Sequence, residues 1–335
     1  METMPTHTDS VRFTDIALAL RDYADNPSAY LALNEGNAFF CVPDIPGVVV
    51  YRETGRYWIQ FGGPFAAPEN RGALLRAFLD RAARQRRTVV AVALQRADAE
   101  LYATNGFVVN QIGSTYAVDL ARFSLRGKRF VRLRNKISRA QRAGLQIAEV
   151  DAADWSANIQ TIDAAWLHGK GRHVKQLEFL VGEIGGEAQR SRRMFTGVIA
   201  GKPVAYVSYA PAFGTRSGWL HDLSRRIPDA PPGVMEAINM HAIATFRDEG
   251  ADWLHFGFTP FVGLSAEAEV SSASGVFARI VRLLAEHGRI IYPADSQVDY
   301  KNKWCPDVVE PEYLGFHNKV SPVAVWKLLR ITRSI

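Results

Sequence analysis

The sequence predicts an α/β (α+β) protein made of two similar halves with a basic helix between them. Three observations carry this prediction. Apolar, β-rich runs alternate with single helical stretches, which is the pattern of mixed α/β folds. The pattern occurs twice, with the paired helix starts at Pro68 and Pro232 standing 164 residues apart, about half the chain. Between the two copies lie nine Lys or Arg residues without one acid.

In the first copy, residues 38–42, 47–51 and 57–61 read as strands and lead to Pro64 and Pro68. Leu74, Leu75, Phe78, Leu79 and Ala82 then follow helical spacing, and residues 88–94 (TVVAVAL) read as a buried strand. In the second copy, strands at 194–199, 204–209 and 219–223 lead to Pro231, Pro232 and Gly233. A helix over 235–248 closes at Gly250, and a strand follows at 252–258. Residues 1–127 are thus expected to form the first half and 146–319 the second. The basic connector spans 128–145, and a basic amphipathic helix spans 320–335.

The nine cations are Arg122, Arg126, Lys128, Arg129, Arg132, Arg134, Lys136, Arg139 and Arg142. The whole chain carries a formal charge of +6, and without these nine the remaining 31 basic and 34 acidic residues sum to −3. The basic character is therefore local. Over residues 132–144 a 100° step places Leu133, Ile137, Ala140 and Gly144 on one side, with Arg132, Lys136, Arg139 and Arg142 opposite. A solvated helix face is the ordinary reading of such a run. Here no acid is available for i,i+4 pairing, so the like charges repel until a polyanion neutralises them.

A length of 335 residues suits one large domain or two ordinary ones, and 47% hydrophobic with 22% charged residues suits a globular chain with a full core. Cys41 and Cys305 match no metal or redox spacing and fit a reducing cytoplasm. Asp9 and Asp15 stand where a signal peptide needs a basic start and an apolar run. No apolar stretch reaches the roughly 20 residues needed to span a bilayer. A cytoplasmic protein is expected, with peripheral contact at an anionic membrane as the alternative. The C-terminal segment 320–335 (VSPVAVWKLLRITRSI) admits both, as a helix docked on the body or a basic element resting on lipid.

The densest polar cluster is His221, Asp222, Ser224, Arg225 and Arg226, placed at the end of the third strand of the second copy. A strand end feeding a helix N-terminus is where α/β sheets hold ligands. Asp222 and Arg225 are expected to lie together in that turn, either as a binding pair for an ammonium and an anion or as an ion pair pinning the loop. Glu236 in the first helical turn is a functional carboxylate or a dipole partner. His221 is a base or a hydrogen-bonded strand residue. No nucleophile elbow, HExxH, Walker loop or GxGxxG occurs, and no metal or cofactor is expected. The pyrophosphate-binding loop of acetyl-CoA enzymes is also missing. Pro231 and Pro232 stand in its place and remove two backbone donors.

Six blocks in order resemble one family, the C-terminal catalytic domain of the lysyl- and alanyl-phosphatidylglycerol synthases. DLARFSLRGK from Asp119, VRLRN from Val131 and SRAQRAGL from Ser138 are similar to "DL-x-x-F-x-L-x-G-K … LR-N … RA-x-R-x-G-L". Trp166 with Lys170, then Glu178, Phe179 and Gly182, resembles the next block. DLSRR from Asp222 through PGVME at Pro232 resembles "DLMRR … P-x-G-x-MD", and FGFTP from Phe256 resembles "LGMAP". YKNKWCP from Tyr300 with PEYL from Pro311 resembles "FK-x-KF-x-P … PRYL". The chain departs from these patterns at Ser224, Glu236 and Glu312, the last reversing a charge.

The resemblance implies tandem acetyltransferase-like (dual GNAT) domains joined by the basic helix, in a free-standing soluble member without the family's transmembrane half. It implies a transferase that moves an amino acid from aminoacyl-tRNA to a hydroxyl or amine acceptor, a small metabolite or a phosphatidylglycerol-type lipid. By position, Asp222, Arg225, Glu236 and Lys301 take the catalytic roles. Glu178, His221, Lys303 and Tyr313 take substrate-binding ones. Lys128, Arg129, Arg132, Arg134, Lys136, Arg139 and Arg142 would hold tRNA. Asp222 or Glu236 would take the α-ammonium, with Lys301 or Lys303 and Arg225 facing the oxyanion or the tRNA terminus. The rival readings are an acyl-CoA-dependent N-acyltransferase and a non-catalytic binder of tRNA or anionic membrane.

Overall fold

The computed structural model describes residues 13–170, 176–287 and 294–334. Asp9 and the side chain of Lys170 lie outside the described residues. Within them, α1 (Phe13–Tyr23) precedes a meander of β1 (Ala38–Val42), β2 (Ile45–Thr54) and β3 (Tyr57–Ala66). Then come α2 (Pro68–Arg84), β4 (Thr88–Leu94), α3 (Arg96–Ala103) and the long β5 (Phe107–Asp119). Helix α4 (Val131–Arg142) leads to β6 (Gln146–Val150), α5 (Ser156–Lys170) and a second meander, β7 (Arg193–Ile199), β8 (Lys202–Ala212) and β9 (Gly218–Arg226). The chain continues through α6 (Val234–Asp248), β10 (Trp253–Pro260), α7 (Gly275–His287), α8 (Ala294–Asn302), β11 (Val308–His317) and α9 (Pro322–Ile331).

All eleven strands join one mixed sheet in the order β1-β2-β3-β4-β11-β5-β10-β9-β8-β7-β6. The final strand, β11, lies between β4 and β5, and β5 pairs with β10. Each meander is antiparallel and passes through one helix into a strand parallel to its third member, β3 with β4 and β9 with β10. The expected strands of the two meanders, the strand at 88–94 and the helix over 235–248 fall within these elements, whereas β10 starts at Trp253, α4 covers only part of 128–145 and α9 only part of 320–335. Strand β9 runs on to Arg226, beyond the expected 223, so the polar cluster forms the end of the strand, with Asp222 and Arg225 in it and not in a turn.

Helix α4 buries Leu133, Ile137 and Ala140 against α6, which buries Val234, Ala237, Ile238, Ala242, Ile243 and Phe246. Each large apolar side chain withdrawn from water contributes roughly 1.5–3 kcal/mol. Gly144, expected on the apolar arc, lies past the end of α4 with φ +82° and is exposed. Gly233 fixes how closely the two helices approach. Its φ is +96°, and a Cβ there would come 2.0 Å from the Lys136 carbonyl oxygen. Helix α9 is capped by the Ser321 hydroxyl, which accepts from the Ala324 amide, and it docks Ala324, Val325, Leu328 and Ile331 on the body. Among the described residues no helix is long and apolar enough to cross a membrane.

Candidate active site in the wedge between two parallel strands

Strands β9 and β10 pair only where Gly218–Leu220 meets Trp253–His255. Beyond that point each is bulged against its outer neighbour. The β8–β9 register slips so that Asp222 has no partner, and the β10–β5 register slips at Phe256. Bulges bend a strand and re-aim its side chains. The opening forms a cavity of about 430 Å³, walled by His221, Asp222 and Ser224 on one side and by Phe256, Gly257, Phe258 and Pro260 on the other. Met235, Tyr300, Lys301, Glu312 and Glu178 complete its polar end, with Phe61 and Ala93 from the first meander and β4.

Asp222 is fully buried and meets a fully buried Arg192, Nε to Oδ2 at 3.0 Å. Arg192 also donates from Nη2 to Asn34 Oδ1 at 2.7 Å and lies 5.3 Å from the Tyr30 ring centre. The second carboxylate oxygen, Oδ1, has no hydrogen-bond partner among the described residues. Burial pushes the Asp222 carboxyl up to about 6, with Arg192 pulling in the other direction. Gly182 makes room for this group, since a Cβ there would lie 2.3 Å from Asp222 Oδ1.

Lys301 is buried at the cavity wall. Its ammonium donates to Gly257 O at 2.8 Å, Phe258 O at 2.9 Å and Thr259 Oγ1 at 2.7 Å. All three N–H groups are thereby committed to the strand that opens the wedge. Burial lowers the Lys301 pKa to about 7, with the Glu312 charge pulling in the other direction. Glu312, on β11, is 4% exposed, and burial pushes its carboxyl up to about 8 against the pull of Lys301.

The other expected site residues divide. His221 lines the cavity, with Nδ1 3.4 Å from Asn239 Oδ1 and its ring among Tyr209, Phe256 and Tyr300. Burial drives its pKa to about 4, so it is neutral at pH 7. Glu178 stands at the mouth, half exposed, paired with Arg333 at 2.9 Å. Arg225 and Asp222 do not form the expected pair. Arg225 reaches Asp163 of α5 at 2.8 Å and stacks 4.7 Å from the Trp166 ring centre. The turn expected to bring them together is absent, since β9 continues through both, and each side chain takes its partner from a different distant segment.

Glu236 and Lys303 are not among the residues lining the cavity. Glu236 Oε1 accepts from Lys303 at 3.2 Å and Lys136 at 3.3 Å. Burial raises its pKa, but Lys303 and Lys136 outweigh burial and hold the carboxyl below its usual range. Tyr313 is also elsewhere, in the core of the first meander, where its hydroxyl donates to Ala268 O at 2.7 Å.

Three of the nine cations are tied down. Arg122 pairs with Asp119 and Asp307, Arg134 donates to the Leu125 and Gly127 carbonyls, and Lys136 meets Glu236. Arg126, Lys128, Arg129, Arg132, Arg139 and Arg142 are exposed and, among the described residues, have no carboxylate partner. Helix α4 has no side-chain N-cap, so its positive dipole end is unneutralised beside Arg129 and Arg132. The chain Lys136–Glu236–Lys303 links this helix to the end of α8, where Lys301 forms the cavity wall.

Sequence reasoning missed Arg192. Its one signal is a basic pair, Arg192-Arg193, opening an apolar strand, and such a pair reads as surface charge. Arg193 does answer to that reading, bridging Glu149 and Glu249.

The sheet and its opened parallel pair define a class, the mixed α/β proteins with one large mixed sheet and a site in the wedge. Residues 17–316 match the family described as phosphatidylglycerol lysyltransferase, C-terminal, and the chain belongs to that family. The six sequence blocks are thus borne out as a family resemblance. A phosphatidylglycerol lysyltransferase of Bacillus subtilis is 24% identical over 322 residues, covering 94% of this chain. The chain spans 36% of that relative's length. Among solved structures, the C-terminal domain assigned to a lysylphosphatidylglycerol synthetase of Agrobacterium fabrum superposes with a TM-score of 0.77 at 21% identity, covering 96% of this chain and 95% of that one. L-PGS from Bacillus licheniformis gives 0.76 at 21% identity, covering 95% and 96%. At such identities these two structures speak to the fold.

Proposed function

We propose that the protein is an aminoacyltransferase that takes an amino acid from aminoacyl-tRNA and delivers it to a hydroxyl or amine acceptor, on a framework of two acetyltransferase-like units. The observation that carries this reading is a cationic helix linked through Glu236 and Lys303 to the end of the helix that walls an acid-lined cavity. The six cations of the 126–142 segment that have no carboxylate partner among the described residues offer a surface for acceptor-stem phosphates. The cavity offers a place for the charged 3′ end. Family membership agrees with a transferase, and the name of the Bacillus subtilis relative points to a lipid acceptor for that protein.

Within the cavity Asp222 Oδ1 is assigned to the α-ammonium of the aminoacyl group. Arg192 fixes the carboxylate through Oδ2 and leaves Oδ1 for the ligand. An ester of tRNA is already activated. The acceptor attacks its carbonyl carbon, the ester C–O bond breaks, and the ribose oxygen leaves with a proton. Positioning supplies most of what such a step needs. Lys301, with its three donors occupied, holds the wedge open, and Arg225 braces α5 against β9.

The test mixes purified protein with tRNA charged in turn with each radiolabelled amino acid, and with phosphatidylglycerol vesicles or pools of small hydroxyl and amine compounds. Transfer of label from at least one charged tRNA is expected, weakening steeply with salt. Label that stays on every tRNA in the presence of every acceptor would falsify the reading.

A further inference from the structure

Glu312 has no task in the chemistry above. It lies on β11 opposite Gly113 of β5, which itself stands opposite Pro260 of β10. The three strands close tightly here, since a Cβ on Gly113 would lie 2.2 Å from the Thr259 carbonyl oxygen. The carboxyl lines the cavity, yet the residue is only 4% exposed. Among the described residues no group donates a hydrogen bond to it and no cation pairs with it. The cation that acts on it most, Lys301, has given its three N–H groups to Gly257, Phe258 and Thr259.

A carboxyl set in a cavity wall with no partner among the described residues points to a ligand that completes it. The sign of the cavity limits what that ligand is. Its acids are Glu178, Asp222 and Glu312, its one lysine is engaged, and His221 is neutral. A phosphate entering this space would meet two buried carboxyls and no free N–H of Lys301. An ammonium group would find open lone pairs on both Asp222 and Glu312, and the first of these is already assigned to the amino acid.

We propose that Glu312 binds an amino group of the acceptor, and that the acceptor is a small molecule carrying a primary amine, not an anionic lipid headgroup. The word acceptor rests on the transferase reading above; the amine site itself does not. Selection acts through charge: an ammonium draws out the Glu312 carboxylate and pairs with it, whereas a phosphate pushes the same carboxyl further toward its neutral form and gains no ion pair, in a space that water screens poorly.

The test has a binding arm and a transfer arm, both on the full chain. Calorimetry titrates putrescine, spermidine, glucosamine and glycerol 1-phosphate into the protein and into its Glu312→Gln and Lys319→Gln variants, Lys319 being an exposed control. One-site binding of at least one amine, weakened tenfold or more by Glu312→Gln and unchanged by Lys319→Gln, is expected. Glycerol 1-phosphate should not bind. No amine binding by the wild type, or equal amine binding by folded Glu312→Gln, overturns the proposal. If that variant does not fold, the wild-type comparison of amines with glycerol 1-phosphate decides. In the transfer arm, label moving from aminoacyl-tRNA to phosphatidylglycerol vesicles but to no amine also overturns it. Label that moves to nothing, with Glu312-dependent amine binding intact, removes the transferase reading and leaves the amine site standing.

Discussion

Arg192 Nε stands 3.0 Å from Asp222 Oδ2, and both side chains are wholly shielded from solvent. The two partners are not equivalent. Arg192 has a second partner in Asn34, whereas Asp222 has no other among the described residues and its Oδ1 is unpartnered, as is Arg192 Nη1. Removing Arg192 strands a buried carboxylate. Arg192→Met is therefore expected to destabilise the fold by about 3–5 kcal/mol, read as a lowered urea midpoint with an unchanged slope.

Asp222 behaves in the opposite sense. Its folded pKa of about 6 lies above the value near 3.9 of an unfolded chain. The native state thus binds this proton more tightly. The stability it contributes is fully present below about pH 4 and is lost as pH rises through 6. Asp222→Asn keeps an oxygen for Arg192 and removes the buried charge. At pH 8 it should melt above wild type, by about 3 kcal/mol at most, with the gap closing toward pH 4. The same variant should lose transfer activity. In the wild type, kcat/KM should rise with pH through about 6 as the carboxylate forms. A variant both more stable and inactive marks a residue kept for function; a melting gap that does not change with pH contradicts the assignment.

The cationic helix predicts a salt dependence. Each phosphate that the protein ceases to neutralise lowers the slope of log K against log salt by roughly 0.7–0.9. Arg132→Gln with Arg139→Gln should reduce the slope for tRNA by about 1.4–1.8 and leave the melting temperature unchanged, since neither residue has a carboxylate partner among the described residues. Filter binding between about 50 and 200 mM salt measures it. An unaltered slope would place the tRNA elsewhere.

Lys301 predicts a structural failure. Lys301→Met removes the donor from two strand carbonyls and the Thr259 hydroxyl at once. Left unsatisfied in the core, these acceptors cost about 2–5 kcal/mol, and the wedge should collapse or flood. A thermal melt reads the cost. A variant as stable as wild type would mean that water or a neighbour replaces the ammonium.

Much of this was legible in the sequence. The strands at 38–42 and 88–94 and the helix at 235–248 announce themselves by period and by flanking prolines and glycines, because burial on one face or both writes itself into local pattern. The arc of Leu133, Ile137 and Ala140 did the same for α4. The wedge was not legible. Whether Asp222 sits in register depends on the strand beside it, and a slip of one residue leaves no local trace. Arg192 and Asp163 came from distant segments to claim Asp222 and Arg225, and spacing along the chain says nothing of such pairs. Lys301 was found by resemblance, but its three acceptors could be seen only once β10 had bent.

The central claim is that Asp222 Oδ1 receives the α-ammonium of the aminoacyl group. The direct measurement compares kcat/KM for aminoacyl-tRNA with that for the same tRNA whose amino acid is N-acetylated, in wild type and in Asp222→Asn. A desolvated charge-assisted hydrogen bond is worth about 3 kcal/mol, or roughly 100-fold. Wild type should prefer the free amine by about that factor, and Asp222→Asn should lose most of the preference. Equal use of the acetylated and free donors by wild type would contradict the assignment.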